Sequence, residues 1–267
     1  MSTNHSSSLD ELTLLVRGVG KGALALVVLT SFFFFFGVSV VTFSGLAVPV
    51  PVPAPVGESF ATLFFERMQS DLVPPPVRLV VTNPMEAFAA QVEIALVLAL
   101  VVLLPVFFVR GAAFFSDALT PHERAALVRI IVPSVLLSVA GASFAYLYVI
   151  PPTFAVLYGY ASLLGAETLL SVDGFVGTVV GLTFAIGVMF TTPVVMVLLA
   201  RLGVVRSAFW IEKWRHALLT LLVFSAIITP DGSGITMLLV SVPLVVLYGV
   251  GCVASARATS SSRPLLN

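Results

Sequence analysis

Long apolar runs separated by short polar punctuation set the pattern of this chain. Residues 23–48 (ALALVVLTSFFFFFGVSVVTFSGLAV), 88–109, 130–150 and 174–200 each hold the roughly 20 apolar residues that a helix needs to cross about 30 Å of hydrocarbon. Two further runs, 216–228 and 235–253, are separated by TPDGSG, whose Pro, Asp and Gly mark a tight turn. At about 1.5 Å per residue the first of them gives only about 20 Å of helix, so the pattern predicts a closing hairpin of one short helix and one of ordinary length. The fold class expected is an all-α integral membrane protein of six transmembrane helices, the last two forming that short hairpin. The chain divides into a tail (1–22), a membrane domain (23–253) and a second tail (254–267), with an outer cap at 49–87 and a cytoplasmic loop at 110–129.

Composition makes lipid the solvent. Of 267 residues, 59% are hydrophobic and only 10% charged, with a mean hydropathy of +1.12. Ordinary globular chains carry about 25% charged residues, so a polar skin for a soluble globule is lacking. The formal net charge of zero gives no basis for nucleic-acid binding. A single cysteine, Cys252, excludes an intramolecular disulfide framework and a cysteine-based metal cluster. The first run is too long for a signal-peptide core and lacks a small-residue cleavage pattern, so it reads as a retained span.

Charge sets the expected orientation. With the N-terminus inside, eleven of the 13 Lys and Arg residues fall on the cytoplasmic side and only Arg67 and Arg78 outside. Both termini are then cytoplasmic. On the outer side VPVPVPAPVG (48–57) is expected to run as extended polyproline chain. Residues 58–72 read as a short amphipathic helix, and Pro151-Pro152 opens an uncharged stretch to residue 165 in which Tyr158 and Tyr160 suit the interface. Ser134, Ser138 and Ala142 form a four-residue-spaced stripe for close helix packing.

The polar residues inside this pattern need reasons. LTPHERAAL (119–127) holds a capping box, Thr120-x-x-Glu123, with Pro121 at the first helical position, where its missing N–H costs nothing. The same Glu123, flanked by His122 and Arg124, is also a carboxylate at the membrane surface able to accept a guanidinium in bidentate fashion. The two readings are compatible. Glu93, with Gln91 beside it, lies within the second span, where a charge costs roughly 2.5–3.5 kcal/mol on insertion scales. It reads either as a helix–helix polar contact with Gln91 or a hydroxyl, or as a functional acid. Asp173 is expected to cap the fourth span and Asp231 to sit in the hairpin turn. Trp210, Lys213, Trp214, Arg215 and His216 read as an interfacial anchor. No Gly-x-Ser-x-Gly, His-Glu-x-x-His or phosphate-cradling glycine loop is present, so no enzyme activity, cofactor or metal is expected.

Several blocks of the sequence together resemble the TatC family, the multi-span core of the twin-arginine protein translocase. FFSDALTPHERAALVRIIVPSVLLSVAGASFAYLYVIPPTF (114–154) is similar to that family's Phe…Leu-x-x-His-Glu-Arg run and the Phe-Ala-Tyr…Pro that closes span three. NPMEAF (83–88), FAIGVMFTTPVVMVLL (184–199) and ITPDGSGITMLLVSVPLVVLYGVG (228–251) match in order and placement, so the resemblance covers about residues 65 to 253. It implies a protein-export subunit of the prokaryotic cytoplasmic membrane that recognises the twin-arginine signal peptides of folded precursors and recruits single-span TatA/TatB-type partners. It also implies assembly as a homo-oligomer within a larger complex, and transport driven by the proton-motive force. Glu123 and Phe114 would contact the signal peptide, with His122, Arg124 and the tail's Glu11 around them. The family's intramembrane glutamate of span four, in a Phe-Glu-x-Pro setting, falls on Thr191, between Phe190 and Pro193, where the partner helix would dock. Glu93 stands where relatives often have lysine. A proton-coupled small-solute or ion transporter using Glu93, or an inactive paralogue of the translocase subunit, are the competing readings.

Overall fold

The computed structural model describes residues 20–43, 46–53, 58–74, 77–114, 121–163, 169–230 and 234–260. The first apolar run does not form one helix. Helix α1 (Gly20–Phe35) stops where Gly37 and the β-branched Val38, Val40, Val41 and Thr42 begin, residues that weaken a helix and favour a pleated strand. Strand β1 (Phe36–Phe43) pairs antiparallel with β2 (Leu46–Pro53), Phe36 opposite Pro53 and Phe43 opposite Leu46. The proline-rich segment expected as free polyproline chain is therefore a strand over most of its length. Pro49, Pro51 and Pro53 recur at every second residue, so their missing N–H groups fall along one edge, and the other edge remains free to pair.

Helix α2 (Phe60–Leu72) is the amphipathic helix the sequence predicts. Ser59 caps it by accepting from the Thr62 N–H at 3.3 Å, and Ala61, Met68 and Leu72 face inward. Two tyrosines fasten it to the bundle: Tyr146 donates to Asp71 Oδ2 at 2.9 Å and Tyr158 to the Leu72 carbonyl at 3.3 Å. Strand β3 (Arg78–Val80) leads into α3 (Pro84–Phe114), which is followed by α4 (Pro121–Phe144), a π-helical turn (Ala145–Val149) and α5 (Ile150–Leu163).

The third span is expected to end at residue 150, before Pro151-Pro152, yet the helix runs through both prolines. The π turn explains this. Proline removes an N–H and its ring collides with the carbonyl four residues back in a tight α-helix. Here the Ile150 N–H bonds Ala145 O, five residues back, so the turn widens just where the two rings need room.

Strand β4 (Leu169–Ser171) pairs in parallel with β3, Arg78 opposite Leu169 and Val80 opposite Ser171. It opens α6 (Val172–Phe190), which breaks at Thr191 before α7 (Thr192–Arg201). A Schellman motif ends α7: Gly203, at φ 70°, donates to Ala200 O, and Val204 donates to Leu199 O. Then come α8 (Ser207–Glu212), α9 (Trp214–Ile228) and α10 (Gly234–Ser260). Four segments are long and apolar enough to cross a membrane: Pro84–Leu104, Ile130–Ala161, Val172–Arg201 and Gly234–Ala258. The shorter apolar helices α1 and α9 complete the six, and α9, about 22 Å long, is the short arm of the expected closing hairpin.

The predicted small-residue stripe lies in the packed interior. Ser138 donates to the Val101 carbonyl of α3 at 2.9 Å, while Ser134 bonds Ile130 O in its own helix. Beside them α4 meets α6 at Gly141, where an added Cβ would come within 2.6 Å of Phe190 Cβ. Only glycine permits that approach.

Candidate functional site

The resemblance-implied signal site lies at the facing ends of α3 and α4. At about 1.5 Å per residue, the 31 residues of α3 extend roughly 46 Å, well beyond about 30 Å of hydrocarbon. Its last residue, Phe114, lies one turn past Arg110, where the apolar run ends. His122, Glu123 and Arg124 lie in the first turn of α4, which begins at Pro121 and turns apolar only after Arg129. Consecutive antiparallel helices bring these two ends to one face of the bundle, opposite the face carrying α2. Thr120, the other half of the capping box, and Glu11 lie outside the described residues, as does Asp231.

The second candidate element is the break in span four. Pro193 cannot donate to the Met189 carbonyl, and the Thr192 hydroxyl supplies that bond instead at 2.6 Å. The Thr191 hydroxyl donates to Val188 O, also at 2.6 Å, beside the Thr191 N–H that bonds the same carbonyl, and the residue is only 2% exposed. Its hydroxyl is thus spent within its own helix. Phe190 is buried against Phe144, with ring centroids 5.5 Å apart, and Pro193 is packed against α10 at Gly251. Phe190 meets Gly141 about 18 Å along α4 from Arg129, near mid-depth of the hydrocarbon layer.

The acids of span two do different work from one another. Glu86, which the sequence reading quoted within NPMEAF without a role, is 7% exposed and accepts four hydrogen bonds. Its Oε2 takes the Thr82 N–H (2.6 Å), the Thr82 hydroxyl (2.7 Å) and the Asn83 N–H (3.2 Å); its Oε1 takes the Asp173 N–H (2.8 Å). Asn83 in turn accepts from the Met85 N–H, so Asn83-x-x-Glu86 is a capping box, the signal that could have found it. Asp173 was expected to cap α6. Ser171 is the cap, accepting from the Gly174 N–H at 3.1 Å, because it is the last extended residue before the first turn, whereas Asp173 already lies inside that turn.

Glu93 lies two turns farther along the same face of α3. Its Oε1 stands 3.9 Å from where a Cβ on Gly177 of α6 would be, and it interacts electrostatically with Asp173. Among the described residues no hydrogen bond from Gln91 or a hydroxyl reaches it. Gln91 instead lines a cavity of about 230 Å³ beneath α2, with Phe65 and Gln69. Gly177 is about 21 Å along α6 from Thr191, so Glu93 does not stand in for the acid that span four lacks. Among the described residues no three His, Cys, Asp or Glu groups converge to hold a metal. At the opposite end of the bundle Arg215 lies over the Trp214 ring at 5.6 Å, and Tyr248 of α10 donates to Trp210 O at 2.6 Å.

These features define a multi-span helical membrane protein, tied at one face by a carboxylate clasp and presenting two projecting helix ends at the other. The sequence matches the family described as Sec-independent protein translocase protein (TatC) over residues 10–243, and the chain belongs to that family. The Sec-independent protein translocase protein TatC of Cenarchaeum symbiosum is 38% identical over 199 residues, covering 74% of this chain and 75% of that one. That of Aquifex aeolicus is 30% identical over 210 residues, covering 77% and 86%. A crystal structure of the twin arginine translocase receptor TatC superposes with a TM-score of 0.67 at 26% identity, covering 93% of this chain and 99% of that one. The chain is accordingly a non-enzymatic component of Sec-independent protein translocation, which displaces the solute-transporter reading.

Proposed function

We propose that this subunit is the receptor for twin-arginine signal peptides, and that the α3–α4 ends form the site. The observation that carries the proposal is the placement of Phe114 at the end of α3 and of His122-Glu123-Arg124 in the first turn of α4, both beyond the apolar boundary on one face. A carboxylate held at a helix start is a matched acceptor for the planar donor fork of arginine, which the compact ammonium of lysine cannot reproduce. Glu11 joins this site from the N-terminal tail, and both termini lie on the same cytoplasmic side. The related crystal structure bears the name of a twin arginine translocase receptor.

Single-span TatA/TatB-type partners dock at the α6–α7 break. Phe190, Thr191 and Pro193 are buried, so they act by fixing the bend that shapes the docking surface. The assembled complex, with more than one copy of this chain, moves folded cargo at the expense of the proton-motive force. Deleting the gene is expected to stop export of a twin-arginine reporter while general secretion continues. The wild-type gene restores export and the Glu123→Ala gene does not. Normal reporter export in the deletion strain would reject the proposal.

A further inference from the structure

An apolar groove of about 370 Å³ opens on the side of the bundle, between α1, α2, α3, α4 and α6. Phe64, Ile94, Val101, Ala142 and Val180 are among its walls, and Tyr146 stands at the end nearest α2. Val102, Val139 and Leu147 on its lips are exposed, so the groove faces the membrane rather than a second protein layer. Water does not settle in an apolar cavity, and an unfilled one forfeits its dispersion contacts. Because its lips open onto hydrocarbon, a lipid tail is the occupant that reaches the groove without displacing another element.

The rim supplies a headgroup site. Tyr146, with its ring on Phe64 (centroids 5.6 Å apart), bonds Asp71, and Asp71 Oδ2 pairs with Arg67 Nε at 3.0 Å. Arg67 is 72% exposed and brings five N–H donors in a planar fork that suits phosphate. Asp71, one turn beyond Arg67, keeps a negative charge beside it. Phe64, Arg67 and Asp71 recur at i, i+3 and i+7, so both signs stand on the face of α2 that carries the wall residue Phe64, which matches a phosphate with an ammonium and not a purely anionic head. We propose that this groove binds one tail of a zwitterionic phospholipid from the leaflet on the α2 side, with the headgroup phosphate on Arg67 and the ammonium toward Asp71. The site is independent of signal-peptide recognition at the opposite face.

The test uses the full chain in lipid nanodiscs containing phosphatidylethanolamine with a photoactivatable diazirine in its tail, with labelled peptides mapped by mass spectrometry. Labelling of residues 94–102 and 139–147 is expected to exceed that of the exposed α10 positions Val242, Val246 and Val250. Ala142→Leu, which fills the groove, should lower groove labelling about tenfold, and Arg67→Gln should lower it too, with α10 labelling unchanged. Because Ala142 also lies near Gly187, Val102→Trp on the open lip is the second filling variant. Equal labelling of groove and α10, or groove labelling that survives both filling variants, overturns the proposal. So does a phosphatidylglycerol probe that labels the groove as strongly, or a single-span partner helix found there in place of lipid.

Discussion

Glu86 caps its own helix and the neighbouring one, joining the starts of α3 and α6 through a single carboxylate. Two oxygens serve four donors, and the contact to the Asp173 N–H crosses 87 positions of sequence. Thr82 and Asn83 are exposed, so water can replace their bonds when the carboxylate is lost, whereas the start of α6 loses its polar tie to α3 and keeps only the apolar packing between them. Glu86→Ala is therefore expected to cost about 2 kcal/mol, the worth of a charge-assisted bond to a helix start, and Glu86→Gln less. Thermal unfolding in detergent checks the order, wild type above Gln above Ala. At this scale the sequence is legible only where partners are local. Asn83-x-x-Glu86 is visible as a capping box, but nothing in the order of residues joins Glu86 to Asp173. Thr191 was legible as a departure from the family's glutamate, yet its inward bond to Val188 O appears only with the helix break in view.

Among the elements, the α6–α7 break shows most clearly how side chains repair a backbone fault. Pro193 leaves the Met189 carbonyl without its helical donor, and the Thr192 hydroxyl fills the gap. Thr192→Val is expected to destabilise by about 1 kcal/mol. In a Pro193→Ala background, where the restored N–H takes the carbonyl, the same substitution should cost almost nothing. Unfolding of the four members of that cycle measures the coupling directly; equal costs in both backgrounds would mean that the hydroxyl does not replace the missing donor. Other elements escaped the sequence reading for related reasons. The phenylalanine run 32–36 is apolar in any conformation, so periodicity could not show that α1 yields to a strand at Phe36. Pro151-Pro152 signals a helix end by local rule, and only the π turn before it reverses that rule.

For the molecule as a whole, hydrophobic length carried the fold. Six apolar helices, an amphipathic cap helix and a closing hairpin with a short arm all follow from run lengths and turn residues. What lies between helices was not legible, because contacts such as Gly141 on Phe190 depend on crossing geometry rather than on any pattern along the chain. Membership of the translocase family fixes the class of work, and the recognition of the signal is the claim that gives the α3–α4 face its purpose. Photo-crosslinking from position 123 in native membranes tests it most directly, with a twin-arginine signal peptide offered first and its Lys-Lys version second. A crosslink to the first that disappears with the second is the predicted result. A correctly inserted protein that crosslinks to neither, or equally to both, would contradict the account and leave Glu123 as a helix cap.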